Sequence, residues 1–314
     1  MISTVEFVIP VFNEVDSIET FHNQLLETLE PLPHSFRFTY VDDGSKDDTL
    51  IRLTHLVNQD ERVRVIELSR NFGHQSALSA GLDQADADVV ITLDGDGEHP
   101  PGLIPEMLSL ADKGYDIVIA QRTQSQKASL FKRVTSDAFY WMINQIGNTQ
   151  ILPGAADFRL MTRPALNALK QFREYHRFLR GMVAWMGYRS VILPYVPSKR
   201  LGGSSKYSLK KMIKLALNAV FSFSLMPLYL SISLGGLFLL GAIIEAVYVL
   251  SFWATGQQST LAPGWSSLMF ILLITGGMIL ITLGFIGIYI GYIFQEVKGR
   301  PIYLVRQIIQ KNKE

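Results

Sequence analysis

Short apolar runs alternate with amphipathic stretches over the first third of this chain. Residues 5–10, 36–41, 63–68, 89–93 and 116–120 are rich in Val, Ile, Phe and Leu and read as strands. Between them, residues 16–29, 46–57, 74–85 and 103–111 place apolar side chains at helical spacing and read as helices. Asp16 or Ser17 stands where the first helix needs its N-cap. This alternation predicts an α/β fold, a mainly parallel sheet with helices on both faces. The run 89–93 is short, β-branched and followed by glycines, as a strand buried on both faces is.

From about Gln121 the rhythm breaks. Residues 127–147 interleave Lys127, Lys132 and Arg133 with Leu130, Phe131, Val134, Tyr140, Trp141 and Ile143. Residues 208–224 repeat the theme, with Lys210, Lys211 and Lys214 beside Met212, Ile213, Leu215 and Leu217. Basic helices with one apolar face lie in membrane interfaces or pack on a globular domain. Two long apolar stretches follow at 225–253 and 265–294, each beyond the roughly 20 residues that cross a bilayer. Trp253, Trp265, Tyr289 and Tyr292 near their ends suit interface anchors. The loop 254–264 is uncharged, whereas Lys199–Lys214 and Lys298, Arg300, Arg306, Lys311 and Lys313 are basic. The positive-inside rule then puts both chain ends in the cytoplasm and the short loop outside. Gly287 and Gly291 form a GxxxG that permits close helix contact, and a pair of spans too small to bury itself points to a homo-oligomer. Glu245, inside the first span, receives no role.

Composition removes several chemistries. The chain has 314 residues, is 48% apolar and carries a net charge of +1, so nothing suggests nucleic-acid binding. It has no cysteine, which excludes disulfides, thiolate nucleophiles and zinc–thiolate sites. Six scattered histidines show no HExxH spacing. The first residues lack a basic segment and a long apolar core, so they do not read as a signal peptide.

The candidate chemistry lies where the predicted strands end, the edge at which open α/β sheets bind ligands. Asp94-Gly95-Asp96-Gly97-Glu98 follows the fourth strand. Carboxylates on such a turn offer hard oxygen ligands to Mg²⁺ or Mn²⁺ bridging a diphosphate. Asp42-Asp43-Gly44-Ser45 follows the second strand, where a carboxylate can accept hydrogen bonds from a base or ribose and Gly44 allows a tight turn. The plainer reading of Ser45 or Asp47 is a helix cap.

The segments Pro10-Val11-Phe12-Asn13-Glu14, Val41-Asp42-Asp43-Gly44-Ser45 and Leu93 to Pro101, in this order, resemble family 2 glycosyltransferases of the GT-A fold. Two C-terminal spans and Arg200-Leu201-Gly202-Gly203-Ser204-Ser205-Lys206-Tyr207 resemble the polyprenyl-phosphate branch. That branch includes dolichyl-phosphate mannose synthase and bactoprenol glucosyltransferase. The resemblance covers nearly the whole chain. It implies a cytoplasmic catalytic domain over 1–207, an interfacial insertion at 127–147, a juxtamembrane helix at 208–224, spans at 225–253 and 265–294, and a basic tail at 295–314. It implies that Pro10, Phe12, Glu14, Asp42, Asp43, Asp94 and Gly95 bind the nucleotide sugar. Asp96 and Glu98 would hold the divalent cation, with Glu98 standing where the family usually has Gln and His99 where it usually has Asp. Arg122 would lie near the phosphates or sugar, and Arg133, Arg200, Ser205 and Lys206 would grip the lipid phosphate. Asp94, Arg122 and Asp157 form the implied catalytic set. Asp157 is the candidate base, or else orients the acceptor, or is buried in an ion pair with Arg159 or another arginine.

The implied reaction is inverting transfer of a hexose, with UDP-glucose as favoured donor and undecaprenyl phosphate as favoured acceptor, for cell-envelope glycosylation. GDP-mannose with dolichyl phosphate, or an amino or N-acetyl sugar donor, is the alternative. The product would pass to a downstream membrane flippase or glycosyltransferase. A processive polysaccharide synthase fits poorly, because His176-Arg177-Phe178-Leu179-Arg180-Gly181 is not a QxxRW segment and two spans make a poor channel. A catalytically inactive membrane scaffold is the reading from another class.

Overall fold

A computed structural model describes residues 2–123, 155–175, 177–198, 226–256 and 264–311. Five apolar runs form the expected strands: β1 (Thr4–Val11), β2 (Ser35–Asp42), β3 (Val63–Leu68), β4 (Val89–Thr92) and β5 (Ile117–Arg122). Helices α1 (Ile18–Leu29), α2 (Thr49–Gln59), α3 (His74–Gln84) and α4 (Ile104–Asp112) connect them. The second helix begins later than its sequence suggests because Asp47 accepts both the backbone N–H and the hydroxyl of Thr49, which occupies the chain in a turn. A 3-10 turn at Pro101–Leu103 likewise delays α4.

Three strands were not legible in the hydrophobic pattern: β6 (Ala155–Thr162), β7 (Ser190–Tyr195) and β8 (Val305–Gln310). Two short helices, α5 (Arg163–Leu169) and α6 (Leu179–Trp185), lie between β6 and β7. The eight strands form one sheet in the order β7-β5-β6-β4-β1-β2-β3-β8. Neighbours β1, β2, β3 and β4 pair in parallel, as does β5 with β7. Strand β6 runs antiparallel to both β4 and β5, and β8 runs antiparallel to β3. The segment expected to be a basic tail at 295–314 therefore contributes an edge strand.

Alternation along β1 sorts the core into two layers. Val5, Phe7, Ile9 and Val11 face a cluster with Phe21, Leu25, Phe38, Leu53 and Met107. Val8 faces the opposite cluster with Val41, Leu78, Met161, Leu166 and Met182. Each such fully buried side chain contributes about 1.5–3 kcal/mol by leaving water. Glu6 also lies buried on this second face, where Arg64 at 2.6 Å and the Thr39 hydroxyl at 2.6 Å satisfy it. A buried carboxylate is tolerable only with such partners.

Residues 1–213 together with 300–314 form one compact unit, and 214–299 form another. The second contains α7 (Met226–Ala254) and α8 (Trp265–Val297). Both contain stretches long and apolar enough to cross a membrane, of 22 and 24 residues. At 1.5 Å per residue these extend about 33 Å and 36 Å, against a hydrocarbon core of roughly 30 Å. Leu237, Leu239, Leu240, Ile244, Leu280 and Ile293 are exposed on them, an arrangement suited to lipid and costly in water. These helices support membrane association.

Candidate active site

The carboxyl-end loops of β1, β2 and β4 converge, as the sequence implies, and a fourth loop after β3 joins them. After β1 the chain turns through Asn13, whose φ of +54° is the left-handed region that Asn tolerates. Asn13 donates its backbone N–H to the Ser45 hydroxyl and accepts the backbone N–H of Lys46 on its side-chain oxygen, at 3.0 and 2.8 Å. The Glu14 N–H bonds the Thr49 hydroxyl at 2.9 Å, and the Glu14 carboxylate receives the Ser17 hydroxyl at 3.0 Å. Pro10 is buried in β1 beside Val41, and Phe12 is half-buried just beyond the strand. The first and second loops are thus one hydrogen-bonded body.

The two aspartates after β2 do different work. Asp42 is buried and accepts the backbone N–H and hydroxyl of Ser45. Burial pushes its carboxyl above the usual range, against the bonds from Ser45. Asp43 reaches the other way and accepts the backbone N–H groups of Phe72 and Gly73, at 2.7 and 2.9 Å. Both Asp43 oxygens therefore hold the loop after β3, which is a positioning task. Gly44, at φ +66°, follows them and packs against the backbone of Arg70 and Asn71. A Cβ there would lie 2.6 Å from the Arg70 carbonyl carbon.

The turn after β4 is built on His99. This ring is fully buried, stacks on Phe158 at 5.2 Å and meets Tyr195 edge-on at 6.1 Å. Its Nδ1 accepts the Asp94 backbone N–H at 2.9 Å, which fixes the start of the turn. Burial depresses its basicity, so the neutral ring that can accept this bond is favoured. Gly95 passes so close to β1 that a Cβ would lie 3.0 Å from Val11 Cγ1. Asp96 accepts the Glu98 N–H at 3.0 Å. Glu98 and Arg122 form an ion pair, and Arg122 also donates to the Tyr195 hydroxyl at 3.1 Å. Arg122 therefore lies at this turn.

Among the described residues, no group of three or more His, Asp or Glu side chains is drawn together as a metal cluster. The donor chemistry still suits a hard cation. Asp96 and Glu98 present carboxylates on one turn, and Mg²⁺-type sites are commonly completed by one or two carboxylates plus phosphate oxygens and water. Engagement of a cation by Glu98 would compete with its bond to Arg122.

Asp157, on β6, is buried in the same region. Arg159 donates to it at 2.9 Å, and Arg180 donates from Nε at 3.1 Å and from a terminal nitrogen at 2.9 Å. Gln75 adds a bond at 3.4 Å, and His74 Nε2 lies 3.5 Å away. Burial alone would raise its proton affinity, but the charges of Arg180 and Arg159 and the His74 contact hold it well below the usual carboxylate range. Such a group is a poor proton acceptor at neutral pH. Of the readings open for Asp157, the ion-paired one matches this geometry, with two arginines in place of one.

The structure thus brings together Pro10, Phe12, Glu14, Asp42, Asp43, Gly95, Asp94, Asp96, Glu98, Arg122 and Asp157 along one edge of the sheet. Arg133, Arg200, Ser205 and Lys206 lie outside the described residues, as do the basic helices at 127–147 and 208–224. Sequence reasoning assigned no site role to His74, Gln75, His99, Arg180 or Tyr195. Only the Gly73-His74-Gln75 step at a helix start could have drawn attention to the first two.

Comparison with known proteins adds an independent line. Residues 6–169 match the model of glycosyl transferase family 2. An uncharacterized glycosyltransferase of Synechocystis sp. is 40% identical over 301 residues, 96% of this chain and 94% of that protein. The bactoprenol glucosyl transferase of Shigella phage SfII is 34% identical over 307 residues, 96% of this chain and 97% of that one. Among solved structures, mannosyl-3-phosphoglycerate synthase from Rubrobacter xylanophilus aligns with a TM-score of 0.47 at 16% identity, covering 70% of this chain and 72% of that one.

Proposed function

The chain belongs to glycosyl transferase family 2, and from that premise we propose that it transfers glucose from UDP-glucose to undecaprenyl phosphate, with inversion. It is a glycosyltransferase; the donor, acceptor and stereochemistry are the proposal. The observation that carries it is the gathering of Asp42, Asp94, Asp96 and Arg122 at one sheet edge, in a chain that also has two bilayer-length apolar helices. The full-length likeness to a phage bactoprenol glucosyl transferase supports the lipid acceptor.

In this reading the interlocked first and second loops, with Phe12, Glu14 and Asp42, seat the nucleoside. Asp94 and Gly95 face the sugar, and Asp96 and Glu98 hold a divalent cation. That cation, when bound, offsets charge on the leaving diphosphate. Arg122, released from Glu98, donates to the same diphosphate. An oxygen of the lipid phosphate attacks the anomeric carbon as the bond from that carbon to the diphosphate breaks, which releases UDP. The attacking phosphate is already anionic, so no proton need be removed. Asp157 then serves to fix Arg180 and His74 around the reacting sugar rather than as a base. Rate arises largely from holding two anions in line.

Arg133, Arg200, Ser205 and Lys206 are proposed to bind the acceptor phosphate, and the domain bounds given above stand as part of this reading. Basic residues on one side of the spans favour a cytoplasmic site with both ends on that side. The GxxxG favours a homo-oligomer, and a product lipid calls for a membrane protein that moves or uses it.

The test is transfer from a panel of radiolabelled nucleotide sugars to undecaprenyl phosphate in detergent, with Mg²⁺, Mn²⁺ or EDTA. One donor giving an organic-extractable, EDTA-sensitive product supports the reading, and that donor names the sugar. No lipid product from any donor, with nucleotide binding intact, overturns it and favours a scaffold.

A further inference from the structure

His74 heads helix α3 and belongs to none of the loops that the sequence marked. Its position is set from a distance. Asp43 grips the backbone of Phe72 and Gly73, and Gly73 takes φ +99°, a conformation that turns the chain into the helix. The imidazole then stands between carboxylates from two strands. Its Nε2 is 3.6 Å from Asp94 Oδ1 and 3.5 Å from Asp157 Oδ2. Among the described residues Asp94 Oδ1 is shielded from solvent and has no hydrogen-bond partner, and the His74 ring faces this oxygen. The next residue, Gln75, donates to Asp157 and accepts the Leu179 N–H, so the start of α3 is itself held against β6 and α6.

We propose that His74 is a positioning residue that ties the Asp94 turn to Asp157 and so sets the gap between the two carboxylates across the sugar site. One Nε2–H placed almost equally far from two oxygens bonds one or the other after a shift of under about 1 Å. The carboxylate it leaves is then free to take a sugar hydroxyl. Loss of the ring leaves two anions facing each other with Arg159 and Arg180 on the Asp157 side only, and leaves the Asp94 turn held by His99 without its tie to Asp157. The inference rests on the glycosyl-transfer reading for its kinetic meaning, but the structural tie stands apart from it.

The experiment uses the full-length protein in detergent, with variants His74→Ala and His74→Gln. Gln keeps one N–H donor of similar reach. Steady-state kinetics are measured for nucleotide sugar and lipid phosphate, and amide exchange is followed over residues 93–99 and 155–161. His74→Ala is expected to lower kcat about 10- to 100-fold, with KM for the nucleotide sugar changed by less than about threefold, and His74→Gln to restore most of that loss. Exchange at the Asp94 turn is expected to quicken in His74→Ala and to return in His74→Gln. Unchanged kcat with unchanged exchange overturns the proposal, as does a loss seen only in KM. If the wild-type protein makes no lipid product, the glycosyl-transfer reading fails, and the exchange result still decides whether His74 makes the tie.

Discussion

Asp157→Asn separates the structural and the chemical duties of the β6 carboxylate. The change keeps shape and removes one negative charge from a side chain whose closest partners are two arginines. Arg159 is 3% exposed, so it would be left as a buried cation without a counter-charge. Removing one member of a buried pair costs about 3–5 kcal/mol. Arg180 is 30% exposed on its side chain and can turn outward, so its share is smaller. At about 2–4 °C per kcal/mol for a unit of this size, the apparent Tm falls by roughly 6–20 °C. The assay is thermal unfolding in detergent, read by dye fluorescence, beside the transfer assay. The second variant, Asp157→Asn with Arg159→Met, removes the stranded cation and is expected to regain at least half of the lost Tm. Transfer activity is expected to stay low in both, because Arg180 and His74 still lack their shared anchor. A Tm within about 2 °C of wild type for Asp157→Asn, or a double variant less stable than the single, would refute the buried-pair reasoning.

Two further outcomes follow from the same kind of geometry. Gly44→Ala would force a β-carbon to within 2.6 Å of the Arg70 backbone at φ +66°, so it is expected to destabilise by more than about 1 kcal/mol and to weaken nucleotide binding, measured by calorimetry. His22 is buried against Tyr40, and burial lowers its pKa from 6.5 to about 4, so the folded state keeps it neutral where the unfolded chain takes up a proton. Its effect is absent above about pH 6.5 and grows as pH falls toward 4, where it costs about 3 kcal/mol; His22→Leu is expected to flatten the fall in Tm over that window.

The parallel half of the sheet was legible because each strand is a short run rich in Val, Ile, Phe or Leu, and the Asn, Asp and Gly residues that follow β1, β2 and β4 are also the site. The β6–β7 half hid for a physical reason. Arg159 interrupts β6 as a buried charge whose partner lies on the same strand, and period alone cannot tell it from a surface residue. Arg180 was set aside with a segment that lacked a synthase motif, yet its guanidinium spans Asp157. His99 replaces a residue more usual in the family, and only the tertiary structure reveals it as the pin of the Asp94 turn. β8 hid because its side chains are mostly exposed and it reads as a basic tail, while Arg306 and Gln307 in fact reach the buried Glu67.

That last strand carries a consequence for biogenesis. In chain order β8 follows both apolar helices, so it is synthesised after them. Until it docks, β3 presents an open edge of unpaired backbone groups, the kind of surface that recruits other strands. The sheet therefore stays unfinished throughout the period in which the two apolar helices are made. Pairing of β8 with β3 also requires residues 305–310, which follow both apolar helices in sequence, to return to a sheet whose other strands were made before those helices. Completion of the sheet is thus among the last steps of folding, and any delay in it leaves the β3 edge open.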